Sequence, residues 1–185
     1  LPVGRLICAS NANNVLTDFI RTGTYNRMRP LLKTTSPSMD ILISSNLERL
    51  LYECADRDGE LIATWMKQLK ESYSYAIGEQ RQEWMNMVFD AGYADDQQCA
   101  EEIRTRFEQD HYLMDTHTAV ACSVLEGYRA ATGDDTVTVV ASTASPFKFC
   151  DSVLDALGVE EKKAGIGILD QLSEVSGCAV PKPLA

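Results

Sequence analysis

The sequence predicts an α/β fold of three layers, a mostly parallel sheet with flanking helices, plus a helical stretch near residues 45–112. Two short apolar runs carry this expectation. Leu6–Ala9 and Val137–Ala141 (the second built on Val137, Val139 and Val140) suit strands buried on both faces. Each stops in a polar loop, Ser10-Asn11-Ala12-Asn13-Asn14 and Ser142-Thr143-Ala144-Ser145, the latter closed by Pro146. In an open parallel sheet, ligands gather beyond the carboxyl ends of the strands. The two runs are therefore expected in one sheet with their carboxyl ends on the same side. The third observation is the helical spacing of apolar residues across most of the chain between them.

Composition narrows the class. With 185 residues, 45% of them hydrophobic and 24% charged, the chain is long enough to bury a substantial core, and its length favours a single domain. A net charge of −10 argues against a nucleic-acid surface, which needs clustered Lys and Arg. No apolar run approaches the ~20 residues that span a bilayer, and Leu1-Pro2-Val3-Gly4 does not read as a signal peptide. A start on Leu1 with no Met is what a piece of a longer polypeptide would show. The six cysteines (8, 54, 99, 122, 150 and 178) form no Cys-x-x-Cys pair, and His111 and His117 are not at metal-ligand spacing with them. Free thiols in a reducing cytoplasm, and no metal, are expected.

Taken in order, the strand at Leu6–Ala9 leads through the Asn-rich loop into a helix over Val15–Ile20, with Leu16, Phe19 and Ile20 inward. A polar loop at a helix start can hold an anion or amino acid on backbone amides, or it can simply cap the helix. Arg21 to Tyr25 reads as a loop. Ser45-Asn-Leu-Glu48 has the capping-box pattern, opening a helix with Leu47, Leu50, Leu51 and Cys54 on its apolar face. From Asp58 to about Asp110 three amphipathic faces follow: Leu61, Ile62, Trp65, Met66 and Leu69; Trp84 and Val88, with Met85 and Phe89; and Cys99, Ile103 and Phe107. Asp115 is placed as the N-cap of the next helix, with Ala121, Val124, Leu125 and Tyr128 at helical spacing and Gly133 as its stop. Val153, Leu154 and Leu157 mark one more helix, ending at Gly158, and the tail over about 159–185 is expected to be loosely attached at its end. The hydroxyls of 142–145 suit either a polar ligand or a turn that satisfies its own backbone.

Five strings resemble threonine synthases, pyridoxal-phosphate enzymes of the tryptophan-synthase-like fold (fold type II). They are Ser10 to Phe19, Thr34-Thr-Ser-Pro-Ser-Met-Asp-Ile41, Ser44 to Arg49, Asp115-Thr-His-Thr-Ala-Val120 and Ser142-Thr-Ala-Ser-Pro-Phe-Lys-Phe149. The resemblance implies conversion of O-phospho-L-homoserine and water to L-threonine and phosphate. In it, Thr143 or Ser142 matches the hydroxyl that pairs with the cofactor's pyridine nitrogen, and Lys148 is a candidate for the substrate phosphate as a mobile point charge. Asn11, Asn13, Ser36 and Asp40 would line the substrate side. Asp115 and His117 would lie near the cofactor, although a histidine in a first helical turn is commonly structural. The family's Schiff-base lysine and Gly-rich phosphate loop have no counterpart, since none of Lys33, Lys67, Lys70, Lys148, Lys162, Lys163 and Lys182 has the matching context. Residues 1–185 are thus expected to be the carboxyl-terminal part of such an enzyme, partnered by its amino-terminal part and inactive alone. The competing expectation is a non-catalytic module of the same fold that binds a phosphorylated metabolite or a partner chain.

Overall fold

The computed structural model describes residues 3–184 and divides into two compact units. One holds the chain up to Lys33 together with Ser38–Tyr93; the other holds Thr34–Pro37 and the chain from Ala94 on. The α/β class holds, with eight helices and four short strands among the described residues.

In the first unit, β1 (Leu6–Ser10) pairs in parallel with β4 (Phe89–Tyr93), Leu6 opposite Phe89 and Ser10 opposite Tyr93. Helix α1 (Val15–Thr22) buries Val15, Thr17, Phe19 and Ile20. It ends at Gly23, whose φ of +70° is the left-handed conformation that only glycine enters without strain, and a Cβ there would meet the Gln82 side chain at 3.1–3.3 Å. That stop turns the chain straight into β2 (Thr24–Asn26), antiparallel to β3 (Ser74–Ala76). Tyr25 and Tyr75 face each other across this pair with rings stacked at 5.4 Å, and Phe19 and Trp65 complete an aromatic cluster. Around it pack α2 (Leu47–Cys54), α3 (Gly59–Glu71) and α4 (Glu79–Val88), which contribute Leu51, Cys54, Trp65, Leu69 and Met85 to one core. Asp58 caps α3 by accepting from the Glu60 and Leu61 amides.

The second unit is helical. Helix α5 (Asp96–Asp110) opens with a capping box between Asp95 and Gln98 and packs on α6 (Thr116–Thr132) and α7 (Cys150–Ala156). The Arg106 guanidinium reaches Glu102 and Asp110 on its own helix and Glu126 on α6. The Arg104 side chain donates to the Ala156 carbonyl at 2.9 Å, which fixes α5 to α7. Ile103, Val120, Val124, Val153 and Leu154 are buried in this unit.

Several expectations are corrected. Val137–Ala141 is not a strand: it pairs with no described segment, and Val137 and Val139 are 92% and 91% exposed. β-Branched composition gives a tendency, but a strand exists only where a neighbouring ladder accepts its backbone groups. Arg21 to Tyr25 is not a loop, because α1 continues to Thr22 and β2 begins at Thr24. No capping box forms at Ser45, since α2 begins one residue late, after Asn46, with no side-chain cap. The stretch 45–112 is helical as expected but is interrupted by β3 and β4, and in α4 Met85 is buried while Trp84 stays 36% exposed. The tail carries α8 (Gly167–Ser176), which packs on α7 through the fully buried Leu172.

Candidate functional site

In the first unit, β1 delivers the chain into the Asn-rich loop, and the loop closes on itself. The Asn11 side-chain oxygen accepts from the Asn13 amide at 2.9 Å, and the Asn11 and Asn13 side-chain amides both donate to Asp40 Oδ1, at 2.8 and 3.0 Å. Asn13 also exchanges two hydrogen bonds with the Leu32 backbone, at 2.8 and 2.9 Å. Asn11 and Asn13 are nearly fully buried. The predicted residues Asn11, Asn13 and Asp40 are therefore brought together, and these bonds hold Leu32 and Asp40 against the loop that follows β1. Beside them Thr17 Oγ1 lies 2.7 Å from the Gly92 carbonyl and 3.0 Å from Ser10 Oγ, tying α1 to the carboxyl ends of both parallel strands.

In the second unit the start of α6 organises the polar groups. Asp115 is the N-cap, as expected from sequence, with its Oδ1 accepting from the His117 and Thr118 amides at 2.9 and 3.3 Å. The same oxygen lies 3.2 Å from His117 Nδ1, and because a carboxylate only accepts, Nδ1 carries the proton. The imidazole lies against Phe149, ring centres 4.7 Å apart. Asp115 Oδ2 accepts from the Thr118 hydroxyl, and Thr118 Oγ1 stands 2.9 Å from Ser142 Oγ. Asp115 and Thr118 are buried, whereas Ser142 is exposed. Thr118 lies within the Asp115–Val120 string without a role assigned from sequence, although its place three residues after a capping Asp offers a signal.

Downstream, Ser145 caps the single turn Pro146–Lys148 by accepting from the Phe147 amide at 3.3 Å, and Phe147 and Cys150 are buried beneath it. The side chains of Thr143 and Lys148 are exposed and make no hydrogen bond or ion pair among the described residues. Ser36, fully buried, lies with its hydroxyl 3.2 Å from that of Thr34, and Asp96 anchors the adjacent Thr35 through its amide and hydroxyl. All six cysteines are free thiols, and among the described residues no three His, Cys, Asp or Glu side chains converge as metal ligands. No described helix is long and apolar enough to cross a membrane.

The comparisons with known proteins fall on this frame. The family model for the threonine synthase carboxyl-terminal region matches residues 118–175, which include Thr118 and the whole 142–149 segment. A solved yeast threonine synthase superimposes on all of the chain with a TM-score of 0.84 at 30% identity. The chain belongs to the threonine synthase family. A threonine synthase from Brucella melitensis, solved with pyridoxal phosphate bound, covers 97% of the chain with a TM-score of 0.79 at 35% identity. Threonine synthase-like 1 of Macaca fascicularis is 39% identical over 162 residues, 87% of the chain. The chain spans 21% of that relative and 37% of each of the two solved enzymes.

Proposed function

We propose that this chain is the carboxyl-terminal part of a threonine synthase, a cytoplasmic enzyme that uses pyridoxal phosphate to convert O-phospho-L-homoserine and water to L-threonine and phosphate. The observation that carries the reading is the 142–149 segment. It presents a Thr143 hydroxyl and a Lys148 ammonium, neither with a side-chain partner among the described residues, beside a Ser142 hydroxyl held from behind by α6. This donor set fits one end of the cofactor, the ring nitrogen, which needs a hydroxyl partner and no metal. When bound, the cofactor supplies an electron sink for the substrate's carbon framework.

The remaining roles belong to side chains of this chain. Thr143 donates to the ring nitrogen, and being neutral it leaves that nitrogen less electron-withdrawing than an acidic partner would. Lys148, a point charge on a flexible stem beside a fixed turn, binds the substrate phosphate. His117, held by Asp115 at Nδ1, presents Nε2 on its other side. Asn11, Asn13, Ser36 and Asp40 line the substrate side. No lysine here matches the family's cofactor-anchoring lysine, so the amino-terminal part of the enzyme supplies it, and the isolated chain is inactive.

The test is phosphate release from O-phosphohomoserine, measured with this chain alone and with the full-length protein encoded by its gene, both with added pyridoxal phosphate. Release by the full-length protein and none by the chain is expected. Release by the chain alone, or none by a folded full-length protein that retains the cofactor, would overturn the assignment.

A further inference from the structure

The hydrogen-bonded row Ser142–Thr118–Asp115 has a polarity. Asp115 Oδ2 can only accept, and the Thr118 hydroxyl donates its single proton to it. Thr118 Oγ1 lies 2.9 Å from Ser142 Oγ, and with its own proton committed it can only accept there, so Ser142 is the donor. The opposite orientation would turn Thr118 away from a carboxylate that is 1% exposed, replacing a charge-assisted bond by a neutral one and leaving a buried acceptor without its partner. The Ser142 proton therefore points inward, and its oxygen offers only lone pairs on its exposed side. Thr143, one residue on, is not engaged among the described residues and keeps both capacities.

We propose that Thr118, backed by Asp115, is a positioning residue that fixes Ser142 as a hydrogen-bond acceptor and so gives the two adjacent hydroxyls opposite roles. Ser142 recognises an N–H donor, such as an ammonium or a protonated ring nitrogen. Thr143 is the hydroxyl of the pair that can donate to a neutral ring nitrogen. The orientation of Ser142 stands on this geometry alone, whereas the assignment of a ring nitrogen rests on the cofactor reading above. A side chain buried in the first turn of α6 thus sets the polarity of a group on a different segment, 24 residues away in sequence.

Two measurements test this on the full-length protein. Neutron diffraction from perdeuterated protein without cofactor is expected to show the Ser142 deuteron directed at Thr118 Oγ1. A Thr118 deuteron directed at Ser142 would overturn the proposal. In protein loaded with pyridoxal phosphate carrying ¹⁵N in its ring, Thr118→Val frees the Ser142 proton and is expected to shift the ring-nitrogen resonance by more than its linewidth. Thr118→Ser, which keeps the hydroxyl, returns it. An unmoved resonance in both variants with cofactor bound would overturn the positioning role, because a merely structural threonine would alter stability without altering that signal. Failure of the unaltered protein to bind the cofactor would strike the cofactor reading instead, and the diffraction result would still decide the orientation.

Discussion

Tyr75 and Tyr25 lie face to face on adjacent strands, yet replacing each by Phe should move stability in opposite directions. Tyr25 donates its hydroxyl proton to the Leu42 carbonyl at 3.0 Å and accepts from the Ser44 amide at 3.2 Å. The Tyr75 hydroxyl is equally out of solvent but has no hydrogen-bond partner among the described residues, and burial holds it well above the ordinary phenol range. A buried polar group without a partner costs about 1–3 kcal/mol, the free energy of the water it gave up. Tyr75→Phe removes that cost and keeps the ring, with its stacking on Tyr25 and on Trp65 at 5.9 Å. It should therefore stabilise the first unit by about 1 kcal/mol, or raise its Tm by roughly 4–8 °C. Tyr25→Phe strands a carbonyl and an amide and should destabilise by about 1–3 kcal/mol. Urea unfolding followed by tryptophan fluorescence is a direct assay, because Trp65 sits in the cluster and is 4% exposed. Most core substitutions destabilise, so a stabilising one is diagnostic. Equal destabilisation by both variants would refute the reasoning.

Two further outcomes are expected. In the full-length, cofactor-loaded protein, Thr143→Val should lower turnover about ten- to a hundredfold through loss of a roughly 1–3 kcal/mol hydrogen bond, while Thr143→Ser loses much less and the melting temperature hardly changes; equal turnover for Val and the unaltered protein would remove Thr143 from the site. The Cys99 thiol is pushed up to about 12 by burial, reinforced by Asp96, Asp95 and Glu102, so the folded state holds its proton where the unfolded state, ordinarily near 9, has lost it. Stability is thus fully present below pH 9 and declines as pH rises towards 12, by at most about 1.4 kcal/mol per pH unit from this group. Cys99→Ala should flatten that alkaline limb of a urea titration, and an unchanged limb would exclude Cys99 as its source.

Legibility in the sequence followed the range of the interaction that fixes each element. Helix α6 could be read end to end because its cap, Asp115, and its stop, Gly133, act within a turn of backbone. The cap of α5 is equally local, in the Asp95–Gln98 pair, but the acidic run around it reads as a solvated face. Strand β3 is three residues, too short to show a period, and β4 (Phe-Asp-Ala-Gly-Tyr) contains two poor strand formers and exists through its pairing with β1, whose Leu6 lies opposite Phe89. Val137–Ala141 failed in the opposite sense, with every local preference for a strand and no ladder to join. The site shows the same division. The resembling strings contain Asp115, His117, Thr118, Ser142, Thr143 and Lys148 alike, but the contact from Thr118 to Ser142 is one that spacing alone does not encode.

The exposed run before the site also bears on how the chain behaves in concentrated solution. Thr136–Ala141 is six uncharged residues with no proline, joined to no strand among the described residues, and two of its valines lie almost wholly in water. Such a segment is a template for intermolecular cross-β stacking wherever it stays uncovered. The flanks oppose this: Asp134 and Asp135 set two negative charges immediately before it, and Pro146 interrupts any extension of a stack beyond the hydroxyl cluster. Asp134 is itself held in place, accepting from the Tyr128 hydroxyl at 2.9 Å and the Thr136 amide at 3.0 Å, and hydrogen bonding from the Thr136 side chain, then from its amide and from Tyr128, keeps its carboxyl below the usual range. Its charge therefore persists further into acid than a free aspartate's, which keeps this gatekeeper active when much of the chain's net negative charge has already been titrated away.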